Sequence, residues 1–204
     1  IRGPASSLWG SDAMNGVVNF RSRTSSYNTQ SDTFAATARI RALEYGSVNN
    51  LFGGRAEVLG GGGGWDMLIG VSSKTAQDYT TPIKENGSYK AKNSSFNYLG
   101  VDFNIGYTKD STRYYTQGRY TRVESHRAGG LGAAPGSSYG ILMSEDPISE
   151  YYLRVGMKKS QLSFAESMES YLYYRHWDTD IWNNRTTFTT KANIHQQVYN
   201  NNYF

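Results

Sequence analysis

The sequence lacks cysteine and holds only 4 proline and 3 histidine residues among its 204. Without cysteine there is no disulfide framework, no thiolate metal site and no cysteine nucleophile. No run of about 18 apolar residues is present, so we expect no transmembrane helix. Lysine and arginine are scattered rather than clustered, so the net charge of +4 does not indicate a nucleic-acid partner.

Aromatic residues are abundant instead, with 17 Tyr, 8 Phe and 4 Trp, whereas disordered chains are poor in them. Apolar and polar residues alternate along most of the chain. In residues 99–107 the odd positions are apolar or aromatic, and the even positions are Gly, Asp or Asn. Because a period of two sends successive side chains to opposite faces of a strand, the sequence predicts an all-β fold.

The alternation predicts seven strands, and the connections between them differ in length. Short turns at 60–64, 108–111 and 158–161 alternate with long connections at 78–94 and 127–147, and the tail from Asp178 is expected to be a loop. Tight turns at one rim and long loops at the other are typical of an antiparallel transmembrane β-barrel in an outer membrane. The predicted strands are 31–45, 51–60, 65–77, 95–108, 112–125, 148–158 and 162–177.

A soluble β-sandwich also alternates, so the pattern alone leaves both architectures open. Several predicted strands exceed ten residues, whereas strands of globular proteins average about 5–6, which favours the barrel. The polar face of these strands would then line a hydrated lumen. Aromatic residues near strand ends suit the two membrane interfaces; they are Trp65, Phe96, Tyr107, Tyr151, Tyr174 and Trp177.

The first 20 residues, IRGPASSLWGSDAMNGVVNF, differ in character from the rest of the chain. They resemble the C-terminal part of the plug domain of TonB-dependent outer-membrane receptors, which reads Arg-Gly-Pro, Ser, Leu-Tyr-Gly, Ala, a Gly pair, a short apolar run and Asn. Trp9 replaces the usual Tyr, and Asn15, which tolerates a left-handed backbone, replaces the first Gly of the pair. The matching positions are Arg2, Gly3, Pro4, Ser6 or Ser7, Leu8, Trp9, Gly10, Ala13, Gly16, Val17, Val18 and Asn19.

This resemblance implies that residues 1–23 are the C-terminal end of a plug domain and residues 24–204 the N-terminal part of a barrel. About seven strands would be present of the 22 expected for such a transporter, so we expect the chain to be an internal piece of a longer protein. In the family, plug arginines pair with barrel glutamates. The resemblance therefore implies that Arg2 pairs with glutamates of later barrel strands, which we expect to lie outside this chain.

The function implied by the resemblance is active uptake of a scarce nutrient across the outer membrane of a Gram-negative bacterium. A ferric siderophore is the first expectation for the cargo, and haem or cobalamin is the alternative. The partners would be outer-membrane lipid and the TonB energy-transducing complex, which acts through plug residues upstream of Ile1. No catalytic residue, resident cofactor or metal is expected. The competing function is a passive outer-membrane barrel or adhesin. The terminal Tyr203-Phe204 favours this alternative.

Candidate ligand contacts lie in and next to the long connections. Cationic and aromatic side chains suit an anionic, aromatic ferric catecholate, and the alternative is a solvated loop. The candidates are Tyr79, Lys84, Tyr89, Lys90, His126 and Arg127.

Overall fold

The computed structural model describes residues 23, 25, 31–85, 88–91, 93–127, 140–186 and 191–203, so the predicted plug motif lies outside the described residues. Eight strands form one sheet in the order β1-β2-β3-β6-β7-β8-β9-β10, and β4 and β5 form a separate hairpin. All pairs are antiparallel, which confirms the predicted all-β antiparallel fold. The strands are β1 (Ala35–Gly46), β2 (Leu51–Gly62), β3 (Trp65–Ala76), β4 (Thr80–Glu85), β5 (Ser88–Lys90), β6 (Phe96–Lys109), β7 (Thr112–Arg127), β8 (Gly140–Ser160), β9 (Ser167–Thr186) and β10 (Lys191–Tyr203).

The seven predicted strands correspond to β1, β2, β3, β6, β7, β8 and β9, but the predicted terminal loop is wrong and three further strands are present. The connection at 78–94 contains the β4–β5 hairpin, and β8 begins at Gly140 rather than at 148. Pro147, which lacks an amide donor, is accommodated where the β8–β9 register shifts between Glu145 and Ile148. The tail continues β9 and adds β10, which pairs with β9 along its whole length. Backbone hydrogen bonds form the end of β9 and β10, although apolar and polar residues do not alternate in their sequence.

The two ends of the sheet differ in their connections. At one end, the turn end, β2–β3 and β6–β7 are joined by the two-residue turns 63–64 and 110–111, and β8–β9 by residues 161–166. The opposite end, the loop end, holds the long connections 77–95 and 128–139 and the shorter 47–50 and 187–190. The predicted alternation of tight and long connections is therefore confirmed between β2 and β8.

The strand register sorts the side chains into two faces. The face that carries Met67, Ile69 and Val71 of β3 is called the apolar face. The opposite face, which carries Glu57 and Asp102, is called the polar face. Within the described part of the chain, no helix has the length and hydrophobicity that a membrane crossing requires.

The β2–β3 turn depends on glycine at position 62. Gly62 has a φ of +144°, and a Cβ there would lie 2.7 Å from the Cα of Phe34. We expect Gly62→Ala to lower the free energy of unfolding by about 1–3 kcal/mol, because an L side chain is strained in this conformation. Urea unfolding of the chain measures the loss.

Gly63 provides the matched control for this substitution. It also has a positive φ, +58°, but a Cβ there would meet nothing within 4 Å. Asparagine tolerates the left-handed region, so Gly63→Asn should cost clearly less than Gly62→Ala. Equal losses at the two positions would show that the contact of position 62 with the backbone of Phe34, just before β1, does not contribute to the loss of stability.

Candidate functional site: two opposed faces of one sheet

The apolar face carries a continuous band across the central strands. Six residue steps separate Trp65 from Val71, which corresponds to about 20 Å along a strand that rises about 3.3 Å per residue. Aspartate, glutamate, lysine and arginine are all missing from this described band. Its four rows of cross-strand neighbours are Trp65, Tyr107, Tyr114 and Met157; Met67, Ile105, Thr116 and Val155; Ile69, Phe103, Gly118 and Leu153; and Val71, Val101, Tyr120 and Tyr151.

The side chains of this band are exposed or half-buried, although most of them are hydrophobic. Leu172 of β9 is 75% exposed, Val155 is 54% exposed and Leu153 is 45% exposed. Soluble monomers rarely expose a contiguous apolar patch of more than a few hundred Å² unless it binds a membrane or another protein. The band therefore needs an apolar environment that the described residues do not supply.

Aromatic rings border the band at both ends. The rings of Trp65 and Tyr107 lie 5.1 Å apart at the turn end, and those of Tyr120 and Tyr151 lie 4.8 Å apart towards the loop end. Trp65, Tyr107 and Tyr151 thus lie at the band ends, as the sequence predicts for strand-end aromatics. Other predicted members fall elsewhere: the register places Phe96 and Trp177 on the polar face and Tyr174 in the third row.

Charged side chains return on the same face just beyond the band. Arg122 donates to Glu124 at 2.9 Å, and the amide of Asn97 donates to Glu124 at 3.1 Å. These two hydrogen bonds, that from Asn97 first, hold the pKa of Glu124 below its ordinary value. The apolar band therefore ends between Tyr120 and Arg122 on β7.

The polar face is organised around the carboxylate of Glu57, whose side chain is 0% exposed. Three guanidinium groups contact it: Arg23 at 2.9 Å, Arg41 at 2.8 Å and Arg55 at 3.0 Å. Arg55 also binds Asp102 of β6 with two hydrogen bonds, of 2.6 and 3.0 Å. A buried charge requires partners of this kind.

Glycine residues in β3 and β6 make room for these cross-strand contacts. Arg55 reaches Asp102 across Gly70, where the side chain of Arg55 occupies the space of a Cβ. Arg113 likewise occupies the Cβ space of Gly106 and donates to Asp66 at 2.8 and 2.7 Å. The network therefore joins strands that are not direct neighbours.

A second set of ion pairs lies on β7, β8 and β9. Arg119 and Arg175 both donate to Glu150 at 2.9 Å. Arg154 lies 3.0 Å from Glu169 and 3.6 Å from the centre of the Tyr171 ring. Ion pairs thus extend over the polar face from β1 to β9.

Two described residues before β1, Arg23 and Ser25, contact the sheet. The amide of Asn104 donates to the carbonyl oxygen of Arg23 at 3.1 Å, and the Ser25 hydroxyl donates to the carbonyl of Gly60 at 2.9 Å. The sequence predicts a plug arginine paired with a barrel glutamate but assigns that role to Arg2, which lies outside the described residues. Arg23 and Glu57 form an ion pair between a residue before β1 and the sheet, which sequence reasoning missed. The alternation of Arg55 and Glu57 marks Glu57 as a residue of the polar face, but it does not identify Arg23 as its partner.

The predicted ligand contacts lie at the loop end. Tyr79, Lys84, Tyr89 and Lys90 lie in or beside the β4–β5 hairpin, and Tyr89 is 51% exposed; of Lys84 only the backbone is described. His126 and Arg127 end β7.

Asn93 connects the hairpin region to the end of β7, because its side-chain amide donates to the carbonyl of Arg127 at 2.9 Å. The two predicted groups therefore belong to one end of the sheet. His126 and Arg127 are already engaged there. The imidazole Nδ1 of His126 lies 2.9 Å from the Ser95 hydroxyl, and Arg127 donates to Glu145 at 3.0 Å.

Comparison with family models, with curated proteins and with solved structures finds no match for this chain. Within the described ranges, no three His, Asp or Glu side chains come together in a way that would hold a metal ion. The functional argument therefore rests on the two faces of the sheet and on the motif of residues 1–20.

Proposed function

We propose that this chain forms part of the wall of a transmembrane β-barrel in the outer membrane of a Gram-negative bacterium. The observation that carries the proposal is the exposed apolar band opposite a face of ion pairs, in which the carboxylates of Glu57 and Asp66 are buried. A soluble protein buries its apolar side chains and leaves charges in water. A barrel in a membrane turns apolar residues towards lipid and polar residues towards its lumen.

The borders and connections of the sheet support the same proposal. The apolar band of an outer-membrane barrel is bordered by aromatic girdles, and aromatic rings lie at both ends of the band described above. Short turns lie at one end of the sheet and long connections at the other. In this arrangement the turn end faces the periplasm and the loop end faces the outside.

We propose further that the barrel belongs to a TonB-dependent receptor for a scarce nutrient, with a ferric siderophore as the first candidate cargo and haem or cobalamin as the alternatives. Two features support this. Residues 1–20 resemble the end of a plug domain, and Arg23 contacts the polar face, where a chain leaving a plug inside the lumen would run. The TonB complex would act through plug residues upstream. Such transport needs no catalytic residue and no resident cofactor.

A passive barrel or an adhesin is the second candidate function. It is favoured by the lengths of β8 and β9, which have 21 and 20 residues. A membrane-spanning strand needs about 9–11 residues, so these two strands extend well beyond the bilayer at the loop end. An extended ribbon of this kind suits adhesion as well as ligand capture.

An uptake assay separates the two candidate functions. Cells that express the full-length parent gene are supplied with radiolabelled ferric catecholate, haem or cobalamin, with and without an intact TonB system. We expect uptake of one cargo that disappears without TonB, and cells without the gene serve as the control. Flux that is the same in both backgrounds would overturn the receptor proposal and leave a passive barrel.

A further inference from the structure

We infer that the polar face binds a small aromatic carboxylate at Arg119, Tyr152 and Arg175. These three residues are direct cross-strand neighbours in one row of the sheet, with Tyr152 in the middle. A flat ring flanked by two guanidinium groups offers both stacking and paired hydrogen bonds to a planar anion. The inference goes beyond the proposed function, because such a site would serve a passive barrel as well as an energised receptor.

The charges in this cluster do not balance. Arg119 and Arg175 donate to the same oxygen of Glu150, each at 2.9 Å, so the two donor nitrogens lie within twice that distance of each other. Glu150 is the carboxylate that both arginines contact. The cross-strand neighbour of Arg119 on β6 is Asp102, but Asp102 already holds Arg55 in two hydrogen bonds. Two cations thus share one anion.

The same excess extends over the described polar face. A lumen wall with this balance attracts anions. The arginines of the polar face are Arg23, Arg39, Arg41, Arg55, Arg113, Arg119, Arg154 and Arg175, and the carboxylates in contact with them are Glu57, Asp66, Asp102, Glu150 and Glu169.

The two guanidinium groups are accessible to a ligand. The side chain of Arg119 is 52% exposed and that of Arg175 is 50% exposed. A guanidinium has five N–H donors, and each of the two uses one of them for Glu150. Both therefore retain donors in a planar fork that matches the two oxygens of a carboxylate.

The neighbouring rings favour an aromatic ligand over a simple inorganic anion. The ring of Tyr152 lies 6.2 Å from that of Tyr173, and Tyr173 lies 6.4 Å from Tyr171. These separations fall in the range in which aromatic pairs attract each other. A ligand ring placed beside Tyr152 would extend this series while its carboxylate lies between the arginines.

Saturation-transfer difference NMR on the full chain in detergent micelles tests the inference, with benzoate as the probe and uncharged benzamide as its partner. We expect saturable binding of benzoate and at least about tenfold weaker binding of benzamide, because the charge-assisted hydrogen bonds are lost. Arg119→Gln and Arg175→Gln should each weaken benzoate binding about tenfold. Tyr152→Leu, which keeps both charges, should weaken benzoate more than acetate.

Arg39→Gln is the matched control, because Arg39 lies on the same face but on β1, far from β7–β9 in the strand order. It should change benzoate binding by less than about twofold, since exposed charges farther apart than about 10 Å are largely screened by salt. Equal losses in Arg39→Gln and Arg175→Gln would overturn the site in favour of a diffuse field. Equal affinity for benzoate and benzamide, or no saturable binding, would overturn it as well. None of these outcomes depends on TonB. Failure of this binding site would therefore leave the proposed function untouched, and the uptake assay tests that function separately.

Discussion

Replacing Ile69 by arginine should lower the free energy of unfolding in a lipid bilayer by about 2–4 kcal/mol, the cost of a cation near the bilayer midplane on the lipid face of a barrel. Ile69 lies in the third row of the apolar band and is 39% exposed. The expected cost comes from lipid and not from neighbouring side chains. Guanidinium unfolding in phospholipid vesicles, followed by the fluorescence of the 4 tryptophans, measures it.

Thr75→Arg is the control for this experiment. Thr75 lies on the same strand and face, beyond the four rows of the band, and is exposed. Near the interface an arginine costs about 0–1 kcal/mol. A clear difference between the two variants would support a lipid-facing band. If Ile69→Arg were neutral, or made the chain more soluble without detergent, this face would be the exposed surface of a soluble sheet.

Replacing Glu57 by alanine should cost about 3 kcal/mol, at the low end of the 3–5 kcal/mol lost when one partner of a buried ion pair is removed. The carboxylate is buried, and its loss leaves three guanidinium groups without their common partner. The low end is appropriate because Arg23 and Arg41 are 49% and 46% exposed and regain hydration. Urea unfolding in vesicles measures the change.

Glu44→Ala is the matched control for Glu57→Ala. Glu44 pairs with Lys74 at 2.8 Å at the loop end, but its side chain is 48% exposed. Exposed pairs contribute about 0–1 kcal/mol, so this variant should be nearly neutral. If both variants cost the same, burial of Glu57 would not be the source of its contribution.

Glu57→Ala should also loosen the chain before β1. Asn104 still holds the carbonyl of Arg23, but the guanidinium loses the contact to Glu57. Limited trypsin digestion of reconstituted chain should therefore cut after Arg23 faster in this variant than in Glu44→Ala. Unchanged cutting would indicate that the Arg23–Glu57 pair does not hold this segment on the polar face.

The alternation of apolar and polar residues was sufficient to predict the bounds of most strands to within a few residues. The predicted strands 51–60 and 65–77 differ from β2 and β3 by two residues and one residue at their C-terminal ends. Alternation is strong there because one face of these strands is apolar and the other polar over the height of the band. The glycine run also marks the β2–β3 turn correctly, since three of its residues, Gly62, Gly63 and Gly64, have a positive φ that other residues rarely adopt.

The same reasoning fails where the strands leave the band. In the sequence of β10 and of the C-terminal half of β9, polar residues stand at both odd and even positions, so no period of two predicts these strands. Backbone pairing with the preceding strand maintains these ladders, and pairing of this kind leaves little trace in residue type. The length of β8 was missed for a related reason, because Pro147 reads as a strand boundary although the bulge accommodates it.

Local periodicity and turn residues were enough to predict the fold class, the two faces of the strands and the difference between tight and long connections. Which charges meet, in contrast, depends on how the strands pair. Arg55 and Asp102 are 47 residues apart and lie on strands separated by β3. They touch because the register places Gly70, which has no side chain, between them. Register is a property of paired strands, and no single strand specifies its partner's alignment.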